Sequence, residues 1–344
     1  MKKFAKASDI KVGVIGYGGA FNMGKHHLRE MNLAGMTPVA VAEIDAARRK
    51  VAEDEYPGIK TFANLGSMLK GSDVNLITII TPHNTHAKLA VQALKAGCSV
   101  VCEKPLAITT GECDTMIAAA KESNALLSTY HNRHWDGHIL ETLDILKTGV
   151  IGDVFRVDCI MGGFNQPGDW WRSSKSISGG VLYDWGVHLI EYSLQIFGKD
   201  AKIQDVSSFA VNGVWANKTA WKADTVEDEG FAITRFTNGK VLSLNISSIW
   251  AEKLPYILRI RGTKGTVLMG FDEIEVLTPM EKITSQKIKP RTGEGEKFYQ
   301  NIADTLTGKE KLIITPEWSR RPIHILDLSN RSAKENKTLK AKYD

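Results

Sequence analysis

The sequence predicts an α/β protein of two domains. In front is an N-terminal doubly wound parallel sheet; behind it is a C-terminal α+β domain with a large, mostly antiparallel sheet. Three observations carry this. From Lys11 to Thr129, short continuous apolar runs alternate with helical patterns, as parallel strands covered on both faces require. After residue 150 the strand candidates become amphipathic and are joined by hairpin signals. The 344 residues also exceed what one core holds, roughly 250–300.

Lys11 to Ile15 reads as a buried strand, Gly24 to Leu33 as a helix, Pro38 to Ala42 as a strand, and Asp45 to Glu55 as a helix with Asp45 as N-cap. Val74 to Ile80 is a third apolar run. His86 to Ala96 is helical, with Gly97 just past its end. A strand from Cys98 to Cys102, a helix from Thr109 to Ser123 and a strand from Ala125 to Thr129 follow. In the second half, Asp153 to Ile160 alternates like a one-sided strand and Gly180 to Phe197 is helical. Strands Phe231 to Phe236 and Val241 to Ile249 flank Asn238-Gly239, a strong hairpin signal. Tyr256 to Arg261 and Thr266 to Met269 flank a Gly-Thr-Lys-Gly turn. Glu317 to Lys334 is helical again. The expected domains are 1–128, with helix 317–334 returning to it, and 129–316. An apolar open face on the second sheet points to a homodimer or homotetramer.

Composition excludes several classes. Hydrophobic residues make up 43% and charged residues 24%, ordinary globular usage. The net charge of +5 lies partly in lysines at the two ends, so no nucleic-acid face is implied. No apolar run spans a bilayer, so no membrane role is expected. The start lacks the apolar stretch of a signal peptide, and four cysteines without a C-x-x-C pair read as reduced thiols. A cytoplasmic protein is the expectation.

The first strand runs into Gly16-Tyr-Gly18-Gly-Ala-Phe-Asn-Met-Gly24. Gly16 permits a tight turn, Gly18 lets backbone approach a pyrophosphate, and the helix start offers N–H groups to the anion. Five residues instead of two separate Gly18 from Gly24. Glu43 ends the second strand, 19 residues after Gly24, where a carboxylate accepts ribose hydroxyls and repels a 2′-phosphate. That favours NAD over NADP. Arg48 and Arg49 are read as solvent-facing helix charges.

Two further motifs sit at telling places. Glu103-Lys104-Pro105 follows an apolar strand, at the carboxyl end where open α/β sheets bind ligands. In Gly179-Gly-Val-Leu-Tyr183-Asp184-Trp-Gly-Val-His188, Asp184 and His188 are four apart and share one helix face. His131, His134 and His138, with Asp136 beside them, read as one helical face; no cysteine or paired carboxylate joins them, and no metal is expected.

Together these motifs resemble the Gfo/Idh/MocA family of nicotinamide-dependent sugar and polyol oxidoreductases, from Val12 to about Ser332. Val101 to Leu106 and Gly179 to His188 are the most specific parts. Thr81-Pro82 with His86, and Trp171-Arg172, are similar to further family segments. The resemblance implies a Rossmann domain binding NAD, with Lys104, Asp184 and His188 as the catalytic group. Gly16, Gly18, Gly24, Glu43, Thr81, Pro82, His86 and Glu103 would line the cofactor. Trp171, Arg172 and Tyr183 would meet a carbohydrate or polyol. The family's arginine near the end of its nucleotide domain has only Arg133-His134-Trp135 as a counterpart.

The implied reaction moves a hydride between NAD and a secondary hydroxyl of a sugar, inositol or related polyol. His188 is the base, its ordinary pKa of roughly 6.5 suiting that role. Lys104 steadies the oxygen, and Asp184 bonds a hydroxyl or orients His188. One alternative is an NAD-dependent glycosidase using transient oxidation; another is a non-catalytic, cofactor-sensing regulator of the same fold.

Overall fold

The computed structural model describes residues 3–279 and 283–342. Its chain divides into two compact units, Met1–Asn132 with Glu296–Arg321, and Arg133–Gly295 with Pro322–Asp344.

The first unit alternates β1 (Lys11–Ile15), α1 (Met23–Leu33), β2 (Thr37–Ala42), α2 (Ala46–Glu55), β3 (Lys60–Phe62), α3 (Leu65–Gly71), β4 (Leu76–Ile79), α4 (His86–Lys95), β5 (Ser99–Cys102), α5 (Thr110–Glu122) and β6 (Leu127–Thr129). All strands pair in parallel, in the order β3-β2-β1-β4-β5-β6. Val12, Val14, Leu76, Ile77, Ile79, Val100 and Val101 are fully buried, which is why these runs carry no alternation. Local signals set the helix starts. Asp45 accepts the Ala47 N–H at 2.8 Å, and Thr109 with Glu112 forms a capping box on α5, each cap being worth about 1 kcal/mol. The strand order reverses between β1 and β4, which places a ligand crevice at their carboxyl ends.

The second unit opens with α6 (Gly137–Lys147) and β7 (Val154–Gly162), then α7 (Lys175–Ser178) and α8 (Val181–Phe197). Strands β8 (Ile203–Val211), β9 (Glu229–Phe236), β10 (Val241–Ser247), β11 (Leu258–Gly262), β12 (Gly265–Met269), β13 (Ile274–Pro279) and β14 (Ile283–Ile288) follow. The chain then gives α9 (Lys297–Thr307) to the first unit and ends in α10 (Pro316–Glu335) and β15 (Leu339–Lys340). The sheet order is β14-β13-β12-β11-β7-β10-β9-β8-β15, antiparallel except for β7 with β10. Gly239, at φ +82°, makes the β9–β10 hairpin turn. Helix α8 lies on this sheet, and Gly186 permits the approach: a Cβ there would stand 2.9 Å from Leu244.

Three expectations change. Helix α10 is shared, with residues up to Arg321 grouped in the first unit and those from Pro322 in the second. The short β3 and α3 precede the third apolar run, which is therefore the fourth strand; three residues, Lys60-Thr-Phe, are too few for a period to show. The face of the second sheet turned away from α8 is mixed, not simply apolar. Asp158 on β7 accepts bonds from Arg156, Ser243 and Arg261 at 2.5–2.6 Å, whereas Phe209 and Val211, three strands away on β8, are exposed. Among the described residues no helix is long and apolar enough to cross a membrane. All four cysteines are free and buried.

Candidate active site

In the first unit, the glycine-rich turn leaves β1 against the end of β4. Gly16 has φ +99°, and a Cβ on it would lie 2.5 Å from the Ile80 carbonyl oxygen. Gly24 is held by packing: a Cβ there would meet the Tyr17 ring at 2.5 Å. Gly18 differs, since a Cβ on it would meet nothing within 4 Å. The extra residues after Gly18 form an exposed turn to Asn22, whose side chain makes no cap on α1. Gly18 therefore leaves open space beside a helix start, the cradle a diphosphate needs.

Glu43 braces this turn. Its Oε2 accepts the Tyr17 N–H at 2.6 Å and its Oε1 accepts the Asp45 N–H at 3.0 Å. Each oxygen keeps a lone pair for a ribose hydroxyl. Arg48 and Arg49 are not the solvent-facing charges expected from α2. Arg48 Nε donates to the Tyr17 carbonyl at 2.9 Å, and Arg49 Nη1 donates to the Glu43 carbonyl at 2.7 Å. The turn has free carbonyls to satisfy, and these guanidinium groups reach them.

Thr81 and Pro82 follow β4, and Glu103 and Lys104 follow β5. His86 ties these turns together: Nε2 lies 2.8 Å from the Thr81 carbonyl and Nδ1 lies 2.9 Å from the Pro105 carbonyl. Glu103 Oε2 accepts the Lys104 backbone N–H at 2.9 Å, and Oε1 lies 3.0 Å from His27 Nε2. Burial raises the Glu103 carboxyl pKa, but His27 and Lys104 outweigh it and hold the group below its usual range. Glu103 thus braces the Lys104 main chain through Oε2 while His27 holds Oε1.

In the second unit, Gly179 (φ +98°) and Gly180 (φ +119°) bring the chain into α8. A Cβ on Gly179 would strike the Tyr183 ring at 2.8 Å, and one on Gly180 would strike Glu227 Oε2 at 2.8 Å. Glu227 caps the helix, accepting the Val181 N–H at 2.9 Å, and pairs with Lys175 at 2.6 Å. Asp184 and His188 then lie one turn apart. Asp184 is half-buried and pairs with Arg172, Nη1 to Oδ1, at 2.9 Å. The Arg172 guanidinium lies 5.2 Å from both the Trp170 and Trp171 rings. His188 is 4% exposed, its ring edge-on to Trp185 at 5.7 Å. Arg133 lies over that same Trp185 ring at 4.8 Å. Tyr183 is buried under the Gly179 turn, 1% exposed.

The supposed histidine face does not form. His131 follows β6, His134 sits on a 3-10 turn and His138 is in α6, because Asp136 is extended and breaks the helix between them. His134 Nδ1 instead meets Glu191 at 2.6 Å. Among the described residues no group of three or more His, Cys, Asp or Glu could hold a metal ion. Sequence reasoning missed Glu227 as the cap of α8, since 46 residues separate it from Val181, and His27, which belongs to no motif.

An oxidoreductase profile described as a NAD-binding Rossmann fold matches residues 10–131, and its C-terminal α/β companion matches residues 144–341. The chain belongs to the Gfo/Idh/MocA family. This Gfo/Idh/MocA protein is 24% identical to the scyllo-inositol 2-dehydrogenase (NADP(+)) IolW of Bacillus subtilis, over 98% of each chain. It is 27% identical to levoglucosan dehydrogenase of Pseudarthrobacter phenanthrenivorans, over 78% of this chain and 76% of that one. A crystal structure of an NAD-binding protein from Listeria innocua matches with a TM-score of 0.79 and 27% identity, over 96% of each chain. The first unit is an NAD-binding Rossmann domain, and its residues fit that group: the space at Gly18, the bare start of α1 and the lone pairs of Glu43.

Histidines make the family member's stability depend on pH. Burial lowers the pKa of His26, His86 and His138, in His86 against the pull of two carbonyls. The folded state therefore resists protonation while the unfolded chain takes protons near roughly 6.5. Their contribution is whole above that value and is lost as pH falls toward the folded values. Thermal melts should show a lower midpoint at pH 5.5 than at pH 7.5; a midpoint that rises on acidification would contradict this.

Proposed function

We propose that this protein is an NAD-dependent dehydrogenase acting on a secondary hydroxyl of a sugar, inositol or related polyol. The carrying observation is Asp184 and His188 one turn apart on a helix whose start Glu227 and the glycine pair fix. The turn after β5, with Lys104 braced by Glu103, adds the complementary charge. The names of IolW and levoglucosan dehydrogenase point to the same substrate class.

NAD, when bound, accepts the hydride from the carbinol carbon. The rest falls to side chains. His188 takes the hydroxyl proton, the general-base role an imidazole most often fills. Lys104 donates a hydrogen bond to the same oxygen as its negative charge grows, which favours the transition state over the bound substrate. Asp184, held by Arg172, bonds a neighbouring hydroxyl or orients His188. Trp171 offers an aromatic face to a sugar ring. Glu43 makes NAD the preferred dinucleotide.

A panel of sugars, inositols and sugar acids, read by NADH absorbance, tests the proposal. NADH that accumulates in step with oxidised product supports it. A glycoside cleaved without NADH accumulation would instead identify a glycosidase. A protein that binds NADH tightly and turns over nothing would be a sensor.

A further inference from the structure

His27 on α1 is 0% exposed, and no sequence motif contains it. A buried imidazole left without partners is costly, of the order of 1–3 kcal/mol for each unmet group. His27 has two partners, and both lead somewhere. Nδ1 lies 2.7 Å from the Tyr299 hydroxyl on α9, which itself lies 3.1 Å from Thr78 Oγ1 on β4. Nε2 lies 3.0 Å from Glu103 Oε1. An ionised carboxylate only accepts, so Nε2 carries the hydrogen and donates it. The other Glu103 oxygen accepts the Lys104 backbone N–H. Tyr130 closes the pocket, its ring edge-on to His27 at 4.3 Å.

A continuous run of bonds therefore goes from Tyr299 through His27 and Glu103 to the Lys104 main chain. With one oxygen held by His27 and the other by Lys104, the Glu103 carboxylate has no free rotation. Remove the imidazole, and Glu103 keeps its charge and burial but loses its fixed orientation. The main chain from which the Lys104 side chain springs is then anchored to a mobile group.

We propose that His27 is a positioning residue for Lys104: acting through Glu103, it fixes the main chain that carries the ammonium, and it touches neither substrate nor cofactor. This rests on the dehydrogenase reading for Lys104, and the test separates the two. His27→Leu removes the donor, whereas His27→Gln keeps an amide N–H that can reach Glu103. With any polyol the unaltered protein oxidises, His27→Leu should lower kcat by roughly 10–100-fold, the scale of a slightly misplaced catalytic group, and leave KM and NADH affinity within about threefold. His27→Gln should recover most of that kcat. Acylation of Lys104 by limiting acetic anhydride, read by peptide mass spectrometry, needs no substrate. Its rate should shift in His27→Leu and return toward the unaltered value in His27→Gln. If the unaltered protein oxidises no polyol, the dehydrogenase reading fails and the acylation rates still decide the role of His27. Two variants that lose melting temperature equally, with equal kcat or unchanged Lys104 acylation, would make His27 a packing residue and overturn the proposal.

Discussion

His188→Asn and Lys104→Ala should each lose roughly 10²–10⁴-fold in turnover, about 3–5 kcal/mol of transition-state stabilisation, while NADH binds nearly as before. The two variants fail for different reasons. Asparagine keeps much of the histidine's shape on α8 and its edge toward Trp185, but it cannot take a proton. Alanine at 104 removes the ammonium and leaves the backbone N–H that Glu103 holds, so the turn after β5 persists. Isothermal titration with NADH beside a turnover assay reads both halves. Unchanged turnover in either variant removes that residue from the reaction. Lost NADH binding in Lys104→Ala would show that this lysine serves the cofactor first.

Gly16→Val and Gly18→Val should separate fold from ligand in one turn. At Gly16 a branched side chain would sit at φ +99° with its Cβ 2.5 Å from the Ile80 oxygen. Strain of this kind costs about 1–3 kcal/mol before the clash is counted, so the melting temperature should fall by several degrees or more. At Gly18 the same side chain meets no protein atom within 4 Å of its Cβ. Its melting temperature should hold, yet NADH binding should be lost if, as proposed, the diphosphate occupies the space it fills. NADH affinity unchanged in Gly18→Val would place the diphosphate elsewhere on the turn.

Much of this was legible in the residues, for physical reasons that differ along the chain. Strand β1 is read to the residue because its apolar run ends at a glycine that sterics require. Helix α2 starts where Asp45 says, since a cap is a local bond. The strand Lys60–Phe62 escapes because three residues carry no period. The candidates Lys104, Asp184 and His188 stand out by motif, but the residues that hold their turns do not. Glu227 and His27 reach their partners across 46 and 76 positions of chain, and such contacts leave no local trace. The bonds of Arg48 and Arg49 escape the sequence for the same reason: a helix pattern shows which side faces outward but not that a neighbouring turn has carbonyls to satisfy.

The buried cysteines bear on handling as well as on fold. Burial pushes the Cys159 thiol up to about 12 and raises Cys102 well above its usual value, so neither is a thiolate at neutral pH. Only the thiolate attacks an alkylating reagent or a peroxide at a useful rate. In the native protein Cys102 and Cys159 should therefore resist iodoacetamide and air, and become vulnerable to both only once the chain unfolds around them.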